Sequence, residues 1–340
     1  MSVLIINPKN QKILSKVNNN LVDDDGNTFQ INKGVPRIAK SENYTENFGK
    51  QWNLFDKTQL DNDSEGSEES KRRFFAETNW ENKDLSGQNI LEVGSGAGRF
   101  SQVILNHTQA NLFSVDYSDA VSANYKNHHK IAPERFELFQ ASIYELPFPD
   151  NSFDKVLCLG VLQHTPDFRA SVKALIDKAK PGAEIIVDFY EIKGWWTKIH
   201  AKYMFRTFTK KMAHEKLLRL IENNVDWLIK LNLAMYRIGL GIITRFLPVC
   251  DVKDILSTSP KSIDKDELRE RVILDTFDQY SPQHDHPQRL KTVEAMFQGN
   301  NSTVTFSGRV EIGSNSEKKV YATVVRAVKR YNSSIKALRR

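Results

Sequence analysis

An α/β fold, in which a mostly parallel sheet carries helices on its faces, is what this 340-residue sequence predicts, and three observations carry the prediction. The apolar run Ile90-Leu91-Glu92-Val93 enters the turn Gly94-Ser95-Gly96-Ala97-Gly98 and leaves it into a helical segment from Arg99. A second apolar run, Asn111 to Val115, ends in Asp116 at the spacing where βαβ nucleotide folds place a ribose-binding carboxylate. Ala183 to Tyr190 is nearly all apolar, as a strand buried on both faces is, whereas Ser302 to Ile312 and Lys319 to Ala327 alternate like an antiparallel pair.

The glycine turn is a nucleotide cradle. Glycines allow a tight turn and a close backbone approach to a ligand, and the helix start offers its unpaired N–H groups to negative charge. The spacing is G-x-G-x-G with Glu92 just before it, which fits neither a dinucleotide fingerprint nor a P-loop. Composition agrees with a globular chain able to bury one large core plus smaller appendages, with 40% hydrophobic and 26% charged residues. Cys158 and Cys250 lack the paired spacing of a zinc site or a disulfide framework, so a reducing compartment and no metal are expected. No basic, apolar and small-residue leader pattern opens the chain, and a cytoplasmic location is the expectation. The net charge of +6 is compatible with nucleic acid, an anionic membrane or a phosphorylated substrate and does not separate them.

Taken in order, residues 1–40 read as a small β unit, with turn residues Asn18 to Asn20 and Asp23 to Asn27 between short runs. Residues 41–84 read as a helical or loop cap segment, within which Asp61 to Ser70 is a polar, acidic exposed loop or lid. The ligand-binding core spans 85–192. Ser118 is placed to cap a helix to about Asn127, Phe136 to Ser142 is a third strand, and Lys155 to Gly160 a fourth. Asp167 to Lys180 is a helix stopped by Lys180-Pro181-Gly182. Residues 193–260 form a basic insertion: from Trp195 to Val249, ten Lys and Arg face three acids, an excess of +7. Its apolar residues recur at helical spacing, so amphipathic helices are expected, with a basic face that is solvated or grips an anionic or lipid-linked substrate. It is too interrupted by charge to span a bilayer. An acceptor-side segment with the closing hairpin follows at 261–330, and a basic tail at 331–340.

From the glycine turn through Leu146-Pro147-Phe148-Pro149-Asp150-Asn151-Ser152-Phe153-Asp154 the chain resembles the class I S-adenosylmethionine (SAM) dependent methyltransferases. The resemblance implies a Rossmann-like seven-stranded, mostly parallel sheet ending in an antiparallel hairpin. It implies SAM as cofactor, with Glu92, Gly94, Gly96 and Gly98 shaping the methionine end, Asp116 holding the ribose, Ser142 and Ile143 the adenine, and Ser95, Tyr117 and Gly160 also among the cofactor-binding residues. Ser142 stands where such enzymes usually carry an acid. The first 40 residues are similar to a zinc-ribbon-like unit without its cysteines. Tyr44 to Trp52, together with the later phrase Leu274 to His284, resembles methyltransferases found with bacterial polysaccharide and natural-product genes.

Methyl transfer to SAM's acceptor is an in-line displacement that asks mainly for alignment and exclusion of water. Among titratable residues His164 is the best-placed general base, because it follows the fourth strand directly; Asp278, His284 and Tyr190 come next. After that strand the sequence Leu159 to Asp167 lacks the motif of base-modifying amino methyltransferases, so a small-molecule, sugar or lipid-linked acceptor ranks above nucleic acid. Two other readings stay open here: a SAM-binding scaffold without turnover, and an RNA methyltransferase whose basic insertion is its electrostatic footprint. Peripheral contact with a membrane through the insertion is a further expectation.

Overall fold

The computed structural model describes residues 3–39, 43–61, 68–259, 263–314 and 319–331. The short strands β1 (Ser15–Val17), β2 (Asn20–Val22), β3 (Thr28–Asn32) and β4 (Val35–Pro36) form an antiparallel sheet of their own. Its turns are tied by the Asp23 carboxylate, which accepts from the side-chain amides of Asn7, Asn10 and Asn27. Before these strands a single bridge joins Ile6 to Ile13, and the Ile6 N–H donates to the Pro147 carbonyl of the core. Arg37 fastens this unit to the core by donating to Asp119, Gln140 and Ser122.

Helices α1 (Glu46–Leu54) and α2 (Glu69–Thr78) lead into the core. Of the acidic stretch expected to be a loop, residues 62–67 lie outside the described residues. Glu69 and Ser70 open α2, whose first N–H groups are taken by the Asp61 carboxylate. The core then alternates β5 (Asn89–Val93), α3 (Arg99–His107), β6 (Asn111–Asp116), α4 (Val121–His128), β7 (Phe136–Gln140), β8 (Phe153–Cys158), α5 (Phe168–Lys178) and β9 (Ala179–Asp188). The helix after β6 starts later than expected. Ala120 is its cap; the Ser118 hydroxyl donates to Asp116 at 2.6 Å and accepts from the Ala120 N–H at 3.2 Å in the turn before the helix. Asp167 does cap α5, accepting from Ala170 N–H, and β9 begins at once, so Lys180 to Gly182 lies within the strand rather than in a turn.

The chain continues through α6 (Ala201–Thr209), α7 (His214–Arg237), α8 (Val252–Thr258), α9 (Lys265–Tyr280) and α10 (Leu290–Gly299) to β10 (Ser302–Ser314) and β11 (Lys319–Lys329). The seven-stranded sheet has the order β10-β11-β9-β8-β5-β6-β7, with β11 antiparallel to both neighbours and the five central and distal strands parallel. Alternating residues feed two apolar layers. Leu91 and Phe113 pack with Phe139, Phe148 and Phe153 on one face, while Ile90 and Leu112 pack with Phe74 and Trp80 on the other. The insertion builds a third layer: Leu217, Ile221, Val225 and Leu228 of α7 recur every three or four residues and meet Val272, Ile273 and Phe277 of α9. Among the described residues no helix is long and apolar enough to cross a membrane. Of the expected basic tail, residues 332–340 lie outside the described residues.

Candidate active site

A cavity of about 630 Å³ opens beyond the carboxyl ends of β5, β6, β8 and β9, where the strand order reverses about β5. Gly94, Ser95, Gly96, Asp116, Tyr117, Ile143, Gly160, His164 and Asp278 line it, together with Phe48, Gln51 and Trp52 of α1. The glycine turn is left-handed at Gly94 (φ 84°), where an added Cβ would lie 2.2 Å from the Val161 side chain; only glycine fits there. Gly96 donates its N–H to Asp116 Oδ2 at 2.8 Å, and the other carboxylate oxygen accepts from Ser118 N–H and Oγ. Asp116 is thereby fixed at the rim of the turn, and burial pushes its pKa above the usual carboxylate value despite these donors.

Glu92, Gly98, Ser142 and His284 are not among the lining residues. Glu92 is buried beneath the turn, its Oε2 accepting from Ser101 and Ser114 hydroxyls at 2.5 Å each, and desolvation lifts its pKa to about 7. It reaches the turn through Asn124, which donates to both Ser101 and Ser95. Gly98 caps α3 in a left-handed conformation with a Cβ position closed off by His128 and Asn124. The Ser142 hydroxyl accepts from Tyr144 N–H at 3.2 Å, between cavity-lining Ala141 and Ile143.

His164 is buried on a short 3-10 turn, Leu162–His164, with its ring against Phe48 and Tyr190. Its Nδ1 lies 3.1 Å from the His284 carbonyl oxygen. A carbonyl only accepts, so the assigned tautomer carries its proton on Nδ1 and leaves the lone pair on Nε2. Burial lowers the His164 pKa, opposed by the nearby Asp278 and Asp285. His284 thus enters through its backbone, while its ring packs on Tyr44 and His286. Asp278 faces the Tyr190 hydroxyl at 3.5 Å.

Buried charged residues outside the sequence-predicted set hold this arrangement. Lys202 and Arg206, expected on a basic face that is solvated or grips an anionic or lipid-linked substrate, are only 8% and 7% exposed. Both pair with buried Asp285, at 2.6 and 3.0 Å, and Arg206 also donates to the carbonyls of Pro282 and His284. The i, i+4 spacing of the two cations was the available signal; their partner lies 79 residues beyond Arg206. A second missed group is Arg73 of α2, which bridges buried Glu77 and Asp188 at the cavity wall, with Asp188 in turn accepting from Gly160 N–H.

Two buried amides, Gln51 and Gln163, line the cavity with both polar atoms of each lacking a protein partner. Unsatisfied buried polar groups beside a cavity are what a polar ligand completes. A nucleoside with a methionine tail fits: an anchored carboxylate at Asp116 for ribose hydroxyls, an apolar shelf at Ile143, and the unpartnered amides of Gln51 and Gln163. This sheet order, and a cavity beyond the carboxyl ends of its parallel strands, are the arrangement of class I methyltransferases, whose cofactor is S-adenosylmethionine.

Parts of the chain are similar to known proteins. Residues 91–187 match the methyltransferase domain family. A tRNA U34 carboxymethyltransferase of Nautilia profundicola is 30% identical over 116 residues, 34% of this chain and 37% of that protein. A ubiquinone biosynthesis O-methyltransferase of Coxiella burnetii is 27% identical over 129 residues, 37% of this chain and 55% of that one. The match thus spans about a third to a half of such relatives' lengths. A SAM dependent methyltransferase structure from Aquifex aeolicus aligns over 82% of this chain and 97% of its own, with 12% identity and a TM-score of 0.43.

Proposed function

We propose that the chain methylates a hydroxyl of a small polar acceptor, a sugar or glycan intermediate free or lipid-linked, with His164 as general base. The observation that carries this reading is the His164 imidazole, lining the cavity with Nδ1 committed to a carbonyl and Nε2 left to take a proton. Bound SAM supplies an electrophilic methyl group on a sulfonium. The protein's part is to align the acceptor oxygen, exclude water and receive the hydroxyl proton at Nε2. Asp278 and Tyr190 stand beside His164 and offer a carboxylate acceptor and a hydroxyl to a polyol.

Charge supports an uncharged acceptor. Eight carboxylates line the cavity against three cations, of which Arg73 and Arg99 are already paired with Asp188 and Glu69. Phosphates brought to such a cavity would meet repulsion, which counts against the RNA reading despite the tRNA-modifying relative. The resemblance of Tyr44 to Trp52 and Leu274 to His284 to polysaccharide-associated enzymes supports a sugar.

Labelled-methyl transfer from SAM into fractionated small molecules, glycans and lipids identifies the acceptor. With it, His164→Ala is expected to lower kcat by ~10²-fold while leaving SAM affinity nearly unchanged. Because burial lowers the His164 pKa, the acid limb of the wild-type pH–rate profile lies below the ordinary histidine value and vanishes in the variant. A variant with near-normal kcat and the same pH dependence overturns the assignment, and absence of any labelled product returns the chain to a SAM-binding scaffold.

A further inference from the structure

Helix α6 is built the wrong way round for a helix that meets only water on its outer side. Its charged residues Lys202 and Arg206 are buried, while Met204, Phe205 and Phe208 are exposed, Phe208 to 74%. The exposed apolar surface continues on both sides of the helix. Trp195 and Trp196, 67% and 57% exposed, stack on each other just before α6, and Arg245 donates to the Trp196 carbonyl. That bond seats the 3-10 turn Gly241–Phe246 beside the tryptophans, and its Ile242 is 78% exposed. More than half of the large apolar side chains exposed among the described residues fall between Trp195 and Phe246. Scattered exposed leucines need no explanation, but a contiguous set of this size with two tryptophans does.

The charges around it say what covers it. Lys198, Lys210, Lys211, Lys216, Arg219, Lys230 and Arg237 are exposed and have no ion-pair partner among the described residues. The insertion's acids Glu215 and Asp226 are occupied by Lys50 and Arg269. Apolar aromatic side chains flanked by unpaired cations are what the boundary of an anionic bilayer binds: rings enter the headgroup region and cations meet lipid phosphates. A second copy of this chain would bring the same cations face to face. RNA would use the cations but leave Phe205, Phe208 and Ile242 in water.

We infer that the surface formed by Trp195 to Lys198, α6 and Gly241–Phe246 docks on an anionic phospholipid bilayer. The inner side of α6 carries Arg206, which holds the His284 carbonyl facing His164, and Lys202 sits 4.3 Å from the ring centre of cavity-lining Tyr190. Docking therefore places the cavity close to the membrane surface, where a lipid-linked acceptor would be found. This inference goes beyond the proposed hydroxyl chemistry and stands or falls separately from it.

The test is co-sedimentation of the full chain with phosphatidylcholine vesicles, with and without phosphatidylglycerol, alongside calorimetric titration with SAM. Binding to the anionic vesicles alone is expected, with a blue shift of tryptophan fluorescence and release at about 1 M salt. Phe205→Ser with Phe208→Ser, and separately Lys210→Glu with Lys211→Glu, should each weaken partitioning about tenfold or more without altering the unfolding midpoint or SAM affinity. Three results overturn the inference: no binding to anionic vesicles by a chain that still binds SAM, a stable dimer in sedimentation velocity that Phe208→Ser dissociates, or salt-sensitive retention of RNA in place of vesicles. Loss of methyl transfer with vesicle binding intact would instead strike only the proposed function.

Discussion

The parallel sheet and helix α6 of the insertion bury opposite kinds of residue. On β5 and β6 the buried side chains of the two layers are Ile90, Leu91, Val93, Leu112, Phe113 and Val115, and the acid among them, Glu92, is satisfied by neutral hydroxyls. On α6 the inward side chains are Lys202 and Arg206, satisfied by Asp285 and carbonyls, and the outward ones are aromatic. In the sheet, burial is dictated by the need to remove apolar area from water. In α6 it is dictated by the site on one side and, on our inference, by lipid on the other. The same physical rules apply in both places; the solvent differs.

The largest expected effect tests this inversion directly. Arg206→Met removes one partner of a buried cluster and leaves Asp285 and the carbonyls of Gln279, Pro282 and His284 short of a donor, at a cost of about 3–5 kcal/mol. Since the His284 carbonyl then loses a donor while still facing His164, kcat should fall as well. Phe208→Ser, two residues along the same helix but on the outer side, should change stability by no more than about 0.5 kcal/mol. Denaturant unfolding of the two variants checks both. A neutral Arg206→Met with a destabilising Phe208→Ser would mean that α6 packs the other way round.

The contrast also explains what could be read from the chain. Strand runs such as Asn111 to Val115, the glycine turn and Asp116 are local signals, and the core and cofactor site follow from them. The orientation of α6 is not local. Lys202 and Arg206 are charged, so composition assigns them to solvent, and only the fold brings Asp285 under them. Ser118 shows a related effect at short range, since its hydroxyl joins Asp116 to the Ala120 N–H in a turn and α4 begins only after it. Likewise α9, read as an acceptor-side segment, packs its Val272, Ile273 and Phe277 against α7 of the insertion.

Within the core, Asp116→Ala should weaken SAM binding without unfolding the chain. Lost charge-assisted hydrogen bonds are worth about 1.5–3 kcal/mol each, so a tenfold to hundredfold loss of affinity, or more, is expected by calorimetry. The Gly96 N–H would lose its acceptor at the same time and loosen the turn. Lys210→Glu with Lys211→Glu, in the insertion, should leave that affinity alone. Unchanged SAM binding in Asp116→Ala would mean that the ribose is held elsewhere.

The smallest effect concerns how the core pays for its buried acid, and its sign is fixed by linkage. Burial raises the Glu92 carboxyl from about 4.5 to about 7 in the folded chain. Between those values the folded state keeps a proton that the unfolded state has released, so stability must fall as pH rises through this window and level off above it. Glu77 and Asp275, also raised to about 7 by burial, act in the same direction. Glu92→Gln removes one of these contributions while keeping a polar group between Ser101 and Ser114. The variant should therefore lose less stability than the wild type between pH 5 and pH 7, and its standing relative to the wild type should improve as pH rises, read from melting midpoints at matched ionic strength. Part of the slope must survive, because Glu77 and Asp275 remain. An identical slope in both chains would show that Glu92 stays ionised throughout, held by its two hydroxyl donors against the surrounding apolar layers.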